Sequence, residues 1–461
     1  MTNGRAYKPP DLGRPIKVGD TASIAVVGCG HVGLVMAAGL AELGHTVVGV
    51  DRNEGLVNDL CSGIVQISEP ELTGLVKKGI ASGKLLFTTS YDYAIPEAEF
   101  VFLAVDTPGT MGGAADLRNI RSATASIASS LNGLTPIIVN KSTSPIGTGE
   151  TIDGILRKAL ADRQRSPRIV SNPEFLRQGR AVHDFFHPDR IVIGGAEEDA
   201  RAVATLYADL PGPVIITDLR TAEMIKYVAN SFLATRISFV NEVARLCEQL
   251  GVEIDQVVSG IALDPRIGNH FFNPGIGFGG SCLPKDVAAL RYMGETFGVS
   301  TPILSAVQGV NEAQKASAVR RLRARLGSLE DRSIAVWGVT FKGDTEDARD
   351  SPSVDVISLL INEGASIRAY DPAAPVSAPP KIRELYVGSA LEAARGADAL
   401  AILTDWPEFG RVPLAQVKAV MRGSVLFDGR NVVSKAEAED AGFAYLGVGR
   451  VARAPNRRRT D

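Results

Sequence analysis

Between Ser23 and Asp51 the chain carries a strand, a glycine triad, a helix, a second strand and a terminal carboxylate, in that order. Ser23-Ile24-Ala25-Val26-Val27 is a short apolar run, and Gly28-Cys29-Gly30-His31-Val32-Gly33 follows it directly. A helical pattern runs from Val32 to Leu43 and stops at Gly44; Thr46–Val50 forms the next strand, closed by Asp51. Few folds tolerate this order, because each piece has a physical task in a dinucleotide-binding βαβ unit. Gly28 permits the tight turn, Gly30 lets backbone approach a pyrophosphate, and Gly33 allows the helix to pack closely on the strand. The start of the helix, at His31 and Val32, then offers N–H groups to phosphate. Asp51 stands where a carboxylate accepts hydrogen bonds from the adenosine ribose and repels a 2′-phosphate, so NAD is expected over NADP. Arg52, next in the chain, works against that preference. The competing reading is a Rossmann lobe that holds no dinucleotide.

At 461 residues the chain is too long for one core. Residues 22–215 alternate strand and helix patterns, with buried strands expected at Phe100–Val105, Pro136–Asn140, Arg168–Ser171 and Arg190–Ile193. The expected fold class is therefore α/β, an open sheet with ligands beyond the carboxyl ends of its strands. A long helix is expected from about Leu219 to Leu250, ended by Gly251. Its apolar positions cover more than one stripe, which suits a connector that also packs against a second subunit. A new α/β unit opens at Ser333-Ile334-Ala335-Val336-Trp337 and runs to about residue 450. Lacking a glycine triad, it is not expected to hold a second NAD. The expected divisions are 22–215, 216–315 and 330–450, with flexible tails at 1–21 and 451–461.

No apolar run reaches the roughly 18 residues that would suggest a membrane span. The net charge of −3 argues against a nucleic-acid partner, and Arg457-Arg458-Arg459 reads as a solvated basic end. Cys29, Cys61, Cys247 and Cys282 show neither metal-ligand spacing nor a disulfide framework, so no metal site and a cytoplasmic location are expected.

The chemistry concentrates in Gly277-Phe278-Gly279-Gly280-Ser281-Cys282-Leu283-Pro284-Lys285-Asp286. A helix start after Cys282 and a nearby lysine favour a thiolate, hence a nucleophile. A lone cysteine is more often a buried thiol in a tight turn; here an oxidant site and a substrate cleft accompany it. Thr107-Pro108, Lys141-Ser142-Thr143 and Ser171-Asn172-Pro173-Glu174 follow three successive strands, with Pro173 suited to a first helical position. Singly they are caps or turns; together they mark a shared cleft. Lys226 and Asn230 lie four apart on one face of the long helix. The lysine either reaches to solvent or, paired with the amide, stabilises an alkoxide or oxyanion.

With these residues in view, the chain resembles the UDP-glucose/GDP-mannose dehydrogenase family from about Ile24 to Asn431. The matching motifs are Gly28–Gly33, Thr107-Pro108, Lys141-Ser142-Thr143, Asn172-Pro173-Glu174-Phe175-Leu176, His187-Pro188-Asp189-Arg190 and Lys226-Tyr227-Val228-Ala229-Asn230. They continue with Asp264-Pro265-Arg266-Ile267-Gly268, the Cys282 loop, Phe341-Lys342 and Arg349-Asp350-Ser351-Pro352. The resemblance implies an N-terminal NAD-binding Rossmann domain, a central long-helix dimerisation domain and a C-terminal Rossmann-like domain for the nucleotide sugar. It implies a four-electron, two-NAD oxidation of a hexose C6 alcohol to the carboxylate, with UDP-glucose as the first substrate and TDP-glucose or GDP-mannose as alternatives.

In that reading Lys226, Asn230 and Asp286 handle the oxyanion, Cys282 forms a thiohemiacetal and thioester, and Glu174 with Thr143 or Thr107 positions the hydrolytic water. Phe175, Leu176, Phe271, Phe272, Asn273, Gly275, Gly279, Phe341 and Lys342 contact the substrate. Lys285 and Arg349 meet the cofactor phosphates, and Arg266 crosses to the neighbouring subunit of a homodimer. Gln178 departs from the family, where many relatives carry a second glutamate. A silent NAD-binding regulator on the same fold is the alternative of another class; the intact Cys282, Lys226, Asp286 and Glu174 set argues against it.

Overall fold

A computed structural model of the chain describes residues 21–131, 135–160 and 166–451. Apart from Thr21 and Val451, the expected tails, with Arg457–Arg459, lie outside the described residues. The chain divides into two compact units, residues 1–229 and 230–461.

The first unit is built on eight strands: β1 Ser23–Val27, β2 Thr46–Val50, β3 Leu85–Thr88, β4 Phe100–Leu103, β5 Ile137–Asn140, β6 Arg168–Ser171, β7 Ile191–Gly195 and β8 Val214–Thr217. Their order is β3-β2-β1-β4-β5-β6-β7-β8. Every pairing is parallel except β6 with β7. The antiparallel step has no signature in the apolar pattern of either strand.

Parallel strands covered on both faces read as continuous apolar runs, and β4 shows why. Phe100 and Phe102 enter the core on one face, with Val26, Val47 and Val139. Val101 and Leu103 enter the other, with Val27, Val50 and Ile138. β4 ends two residues short of the expected Val105, because its neighbour β1 ends at Val27, opposite Leu103, and turns away at Gly28.

The sequence order of the strands reverses around β1, so the loops after β1 and β4 border the crevice where a doubly wound sheet binds ligands. The helix His31–Glu42 follows directly. A Cβ on Gly33 would lie 1.8 Å from the Gly28 carbonyl oxygen, so only glycine fits this turn.

The second unit holds a five-stranded, wholly parallel sheet: β9 Ser333–Trp337, β10 Ser366–Tyr370, β11 Ala399–Ile402, β12 Val425–Asp428 and β13 Ala444–Gly447, ordered β10-β9-β11-β12-β13. Trp337 is fully buried and donates from Nε1 to the Ala390 carbonyl at 2.9 Å. Gly338 follows β9 as Gly28 follows β1, and each donates its N–H to the last residue of the next strand at 2.8 Å. Asp371 follows β10 as Asp51 follows β2. Here, however, the carboxylate accepts from Val339 N, Thr340 N, Thr340 Oγ1 and Ala373 N, with Trp406 Nε1 at 3.3 Å. Oδ2 is filled by these donors, which sets this carboxylate apart from Asp51.

The long helix spans Leu219–Leu250 as expected and ends at Gly251 in a left-handed conformation. Beyond Asn230 it buries Val240, Ala244 and Cys247, while Phe232, Phe239, Leu246 and Leu250 are each more than half exposed. Among the described residues, no helix is long and apolar enough to cross a membrane.

Candidate active site

In the first unit the site is organised by the segment Asn172–Ala181, after β6. Pro173 does not open a helix; the next helix is Ala181–Phe186. Side-chain carboxylates take the backbone donors a helix would have used. Leu176 N donates to Glu174 Oε2 (2.6 Å), Arg177 N to Asp184 Oδ2 (2.9 Å), and Gly179 N and Ala181 N to Glu69 (2.8 and 2.6 Å). The expectation that Pro173 takes a first helical position is thereby corrected: local acceptors outcompete the intrahelical bonds.

Glu174 is buried, and Lys226 donates to its Oε1 at 2.9 Å. Burial pushes the Glu174 carboxyl up, but the Lys226 charge and hydrogen bond, the Leu176 N–H and the Lys141 ammonium outweigh it, holding the group below the usual carboxylate range. Glu174 is therefore an anion at neutral pH, able to orient water but poor at keeping a proton. The Phe175 ring centroid lies 5.3 Å from Lys226 Nζ and 3.8 Å from the Arg190 guanidinium.

Lys141 is the residue here whose role the sequence understates. Its ammonium is buried, donates to Asn172 Oδ1 at 3.0 Å and lies 5.6 Å from the Tyr207 ring centroid. Burial and the nearby Lys226 lower its pKa to about 7, with Glu174 opposing. Tyr207 also donates to Asn172 Oδ1 (2.7 Å), whose own Nδ2 donates to Val192 O (2.7 Å). A lysine placed directly after a buried strand was the available signal; its depth was not.

Thr107 and Thr143, from the loops after β4 and β5, come together: Thr107 Oγ1 donates to the Thr143 carbonyl at 2.5 Å. Around the glycine triad the residues fit a dinucleotide. No side chain caps the first helix, which leaves its first-turn N–H groups for an anion. A Cβ on Gly30 would meet nothing within 4 Å. Asp51 Oδ2 accepts from Cys29 N at 2.8 Å and Oδ1 from Asn53 N at 2.9 Å, each oxygen keeping acceptor capacity. Arg52 is exposed. His31 begins the helix with its Nε2 3.0 Å from Glu69.

In the second unit Cys282 is exposed and occupies the cap position of the helix Leu283–Thr296, so the expected helix start is found. Its Sγ lies 3.8 Å from Ser281 Oγ. First-turn amides beside a thiol favour the thiolate. One turn on, Asp286 is fully buried, accepting from Asn230 Nδ2 and from Lys285 Nζ, each at 2.6 Å.

The preceding loop is pressed against its neighbours. A Cβ on Gly279 would lie 2.2 Å from the Asp350 carbonyl, and one on Gly280 would lie 2.8 Å from the Phe341 ring. Arg430 ties the loop down by donating to the carbonyls of Gly277 (2.9 Å), Leu403 (3.0 Å) and Phe341 (3.3 Å). Burial lowers its pKa.

Of the expected substrate residues, Phe271 has a positive φ of 61° and is partly exposed, while Phe272 is buried with the Arg236 guanidinium 4.0 Å from its ring centroid. Asn273 is exposed, and Gly275 N donates to Asn241 Oδ1 at 2.8 Å. Lys342 Nζ lies 5.8 Å from the Phe341 ring centroid. Two expected arginines are engaged locally: Arg266 with Asp264 (2.6 Å) in an exposed turn, and Arg349 with Asp347 (2.7 Å).

Three family models match in succession. The NAD binding domain of the UDP-glucose/GDP-mannose dehydrogenase family covers residues 22–210, its central domain 220–313 and its UDP binding domain 335–435. A UDP-glucose 6-dehydrogenase of Bacillus subtilis is 42% identical over 432 residues, 93% of each chain. One from Rhizobium meliloti is 41% identical over 436 residues, covering 93% of this chain and 99% of its own. A UDP-glucose dehydrogenase structure from Pyrobaculum islandicum superposes with a TM-score of 0.85 at 38% identity, covering 95% of this chain and 100% of that one. These agreements make NAD the cofactor and oxidoreduction the chemistry: the chain belongs to the UDP-glucose/GDP-mannose dehydrogenase family.

Proposed function

We propose that the protein oxidises C6 of UDP-glucose from alcohol to carboxylate, giving UDP-glucuronate through a covalent intermediate on Cys282. The observation that carries the reading is Cys282 at the head of a helix whose first turn holds Asp286, buried and bonded to Asn230 of the long helix. The relatives named for UDP-glucose support the substrate. Gly28–Gly33 and Asp51 would hold NAD, which supplies the hydride acceptor twice per sugar.

In the first oxidation the C6 hydroxyl loses a proton and a hydride. Lys226, charged against Glu174, stabilises the oxyanion, and a water held by Asn230 and Asp286 takes the proton. Cys282 Sγ then adds to the aldehyde carbon, and loss of a second hydride and proton leaves a thioester. The covalent bond keeps the aldehyde from escaping between the two oxidations. Glu174, helped by Thr143 or Thr107, positions the water whose addition breaks the C–S bond, releasing the acid and the thiol. With Gln178 in place of a second carboxylate, that hydrolysis rests on Glu174 alone.

Lys285 and Arg349 serve the cofactor phosphates in this reading. Phe175, Leu176, Phe271, Phe272, Asn273, Gly275, Gly279 and Phe341 shape the sugar and nucleotide site, and Lys342 meets the diphosphate. The functional particle is a homodimer in which Arg266 leaves Asp264 to reach the partner's sugar. The exposed apolar stripe of the long helix supports the dimer. Four cysteines, none in a disulfide, support a reducing cytoplasm as its location.

NADH formation with UDP-glucose, TDP-glucose and GDP-mannose tests the substrate. UDP-glucose or its thymidine counterpart should be used at least tenfold more efficiently than GDP-mannose, about 1.4 kcal/mol. Preference for GDP-mannose would overturn the assignment.

A further inference from the structure

Glu69 is a carboxylate that the proposed chemistry does not use, yet its side chain is wholly inaccessible. It lies between the helices Glu54–Cys61 and Leu72–Ala81, and the partners of its side chain are all far away in sequence. Oε1 accepts from Ala181 N at 2.6 Å, and Oε2 accepts from Gly179 N at 2.8 Å. The same Oε2 lies 3.0 Å from His31 Nε2, within ion-pair distance but off the line of a hydrogen bond. Among the described residues no lysine or arginine pairs with it. Burying a carboxylate without a permanent cation is expensive. A neutral asparagine or serine could serve two backbone N–H groups, so a carboxylate at this position points toward His31.

The two ends of this contact belong to different tasks. His31 is the first residue of the helix whose N-terminus fits the dinucleotide phosphates. Gly179 and Ala181 close the segment that carries Glu174, Phe175 and Leu176. The helix Ala181–Phe186 also rests on the first helix at a second point, where Phe185 packs so closely that a Cβ on Gly39 would lie 2.3 Å from its ring. That second contact is apolar and insensitive to charge. The His31–Glu69 contact is the one that an anion at the helix N-terminus can alter.

We propose that Glu69 is a positioning residue that couples the dinucleotide cradle to the sugar-binding segment through His31, so that NAD and nucleotide sugar bind cooperatively. The inference rests on the functional reading above. Ordering His31 against the cofactor diphosphate fixes Glu69; Glu69 fixes 179–181 and with it the backbone beside Glu174. The effect is reciprocal, each ligand tightening the other by the same factor.

The test is calorimetric titration of UDP-glucose into the full-length enzyme with and without saturating NADH. Wild type should bind the sugar nucleotide at least about fivefold more tightly with NADH present, the lower end of ordinary coupling. Glu69→Gln should reduce that ratio below about twofold. His31→Gln should do the same while leaving both backbone bonds of Glu69 in place, and it carries the test if Glu69→Gln fails to fold. Glu42→Gln, which removes a surface carboxylate at the far end of the first helix, should keep the full ratio. Loss of thermal stability in the Glu69 variant with coupling retained would make Glu69 a structural cap and overturn the proposal, as would a wild-type ratio near one. Wild type that binds neither ligand would defeat the functional reading itself, and the coupling with it.

Discussion

At the scale of single residues, burial sets the charge of the groups in the site. Lys141 is the sharpest case. In the folded protein its ammonium gives up the proton near pH 7, against the ordinary lysine value of 10.5. Between those values the unfolded chain binds more protons than the folded one, so stability rises with pH; below 7 the whole penalty of the buried charge is present. Lys141→Met should remove this dependence. Urea unfolding of both proteins at pH 7 and pH 9 should show wild type gaining roughly 2 kcal/mol on the variant across that step. A constant difference would mean Lys141 keeps its charge throughout. The sequence placed Lys141 at the end of a strand, but Asn172 and Tyr207, which fix its amine, are 31 and 35 residues from their partners. Pairings over such distances leave no local pattern. Glu69, 110 residues from Gly179, is invisible for the same reason.

At the scale of elements, the βαβ unit at the N-terminus was legible because its constraints are local. The turn at Gly28 and the packing at Gly33 follow from backbone sterics within a few residues, and β1 and β2 lie where the apolar runs predict. The start of the Cys282 helix was readable likewise, since Pro284 suits only a first turn. The segment after Asn172 was misread because Glu69 and Asp184 draw its N–H groups away from a helix. Asp51 belongs to the legible part and carries a prediction. With oxygens left to receive a ribose diol, it should make NAD at least about tenfold better than NADP in kcat/KM. Asp51→Ala should narrow that gap. Equal efficiency of wild type with both cofactors would show that Arg52 outweighs the carboxylate.

At the scale of the whole molecule, the exposed stripe on the long helix is the feature one chain leaves unexplained. Phe232, Phe239 and Leu246 recur every seven residues and are 60%, 55% and 57% exposed, with Leu250 at 73%. A heptad spacing keeps them on one face, and large aromatic groups in water are the mark of an interface. Phe239→Glu combined with Leu246→Glu should convert the proposed dimer to a monomer in sedimentation or light scattering; an unchanged dimer would place the interface elsewhere.

In the proposed function one enzyme carries a sugar alcohol through two oxidations by holding the aldehyde on Cys282. Its most direct test is NADH formed per UDP-glucose consumed, in wild type and in Cys282→Ser. Wild type should yield two NADH and one UDP-glucuronate per sugar, while Cys282→Ser should bind both ligands and sustain no turnover to the acid. One NADH per sugar in wild type, or full steady-state activity in Cys282→Ser, would rule out the covalent route through Cys282.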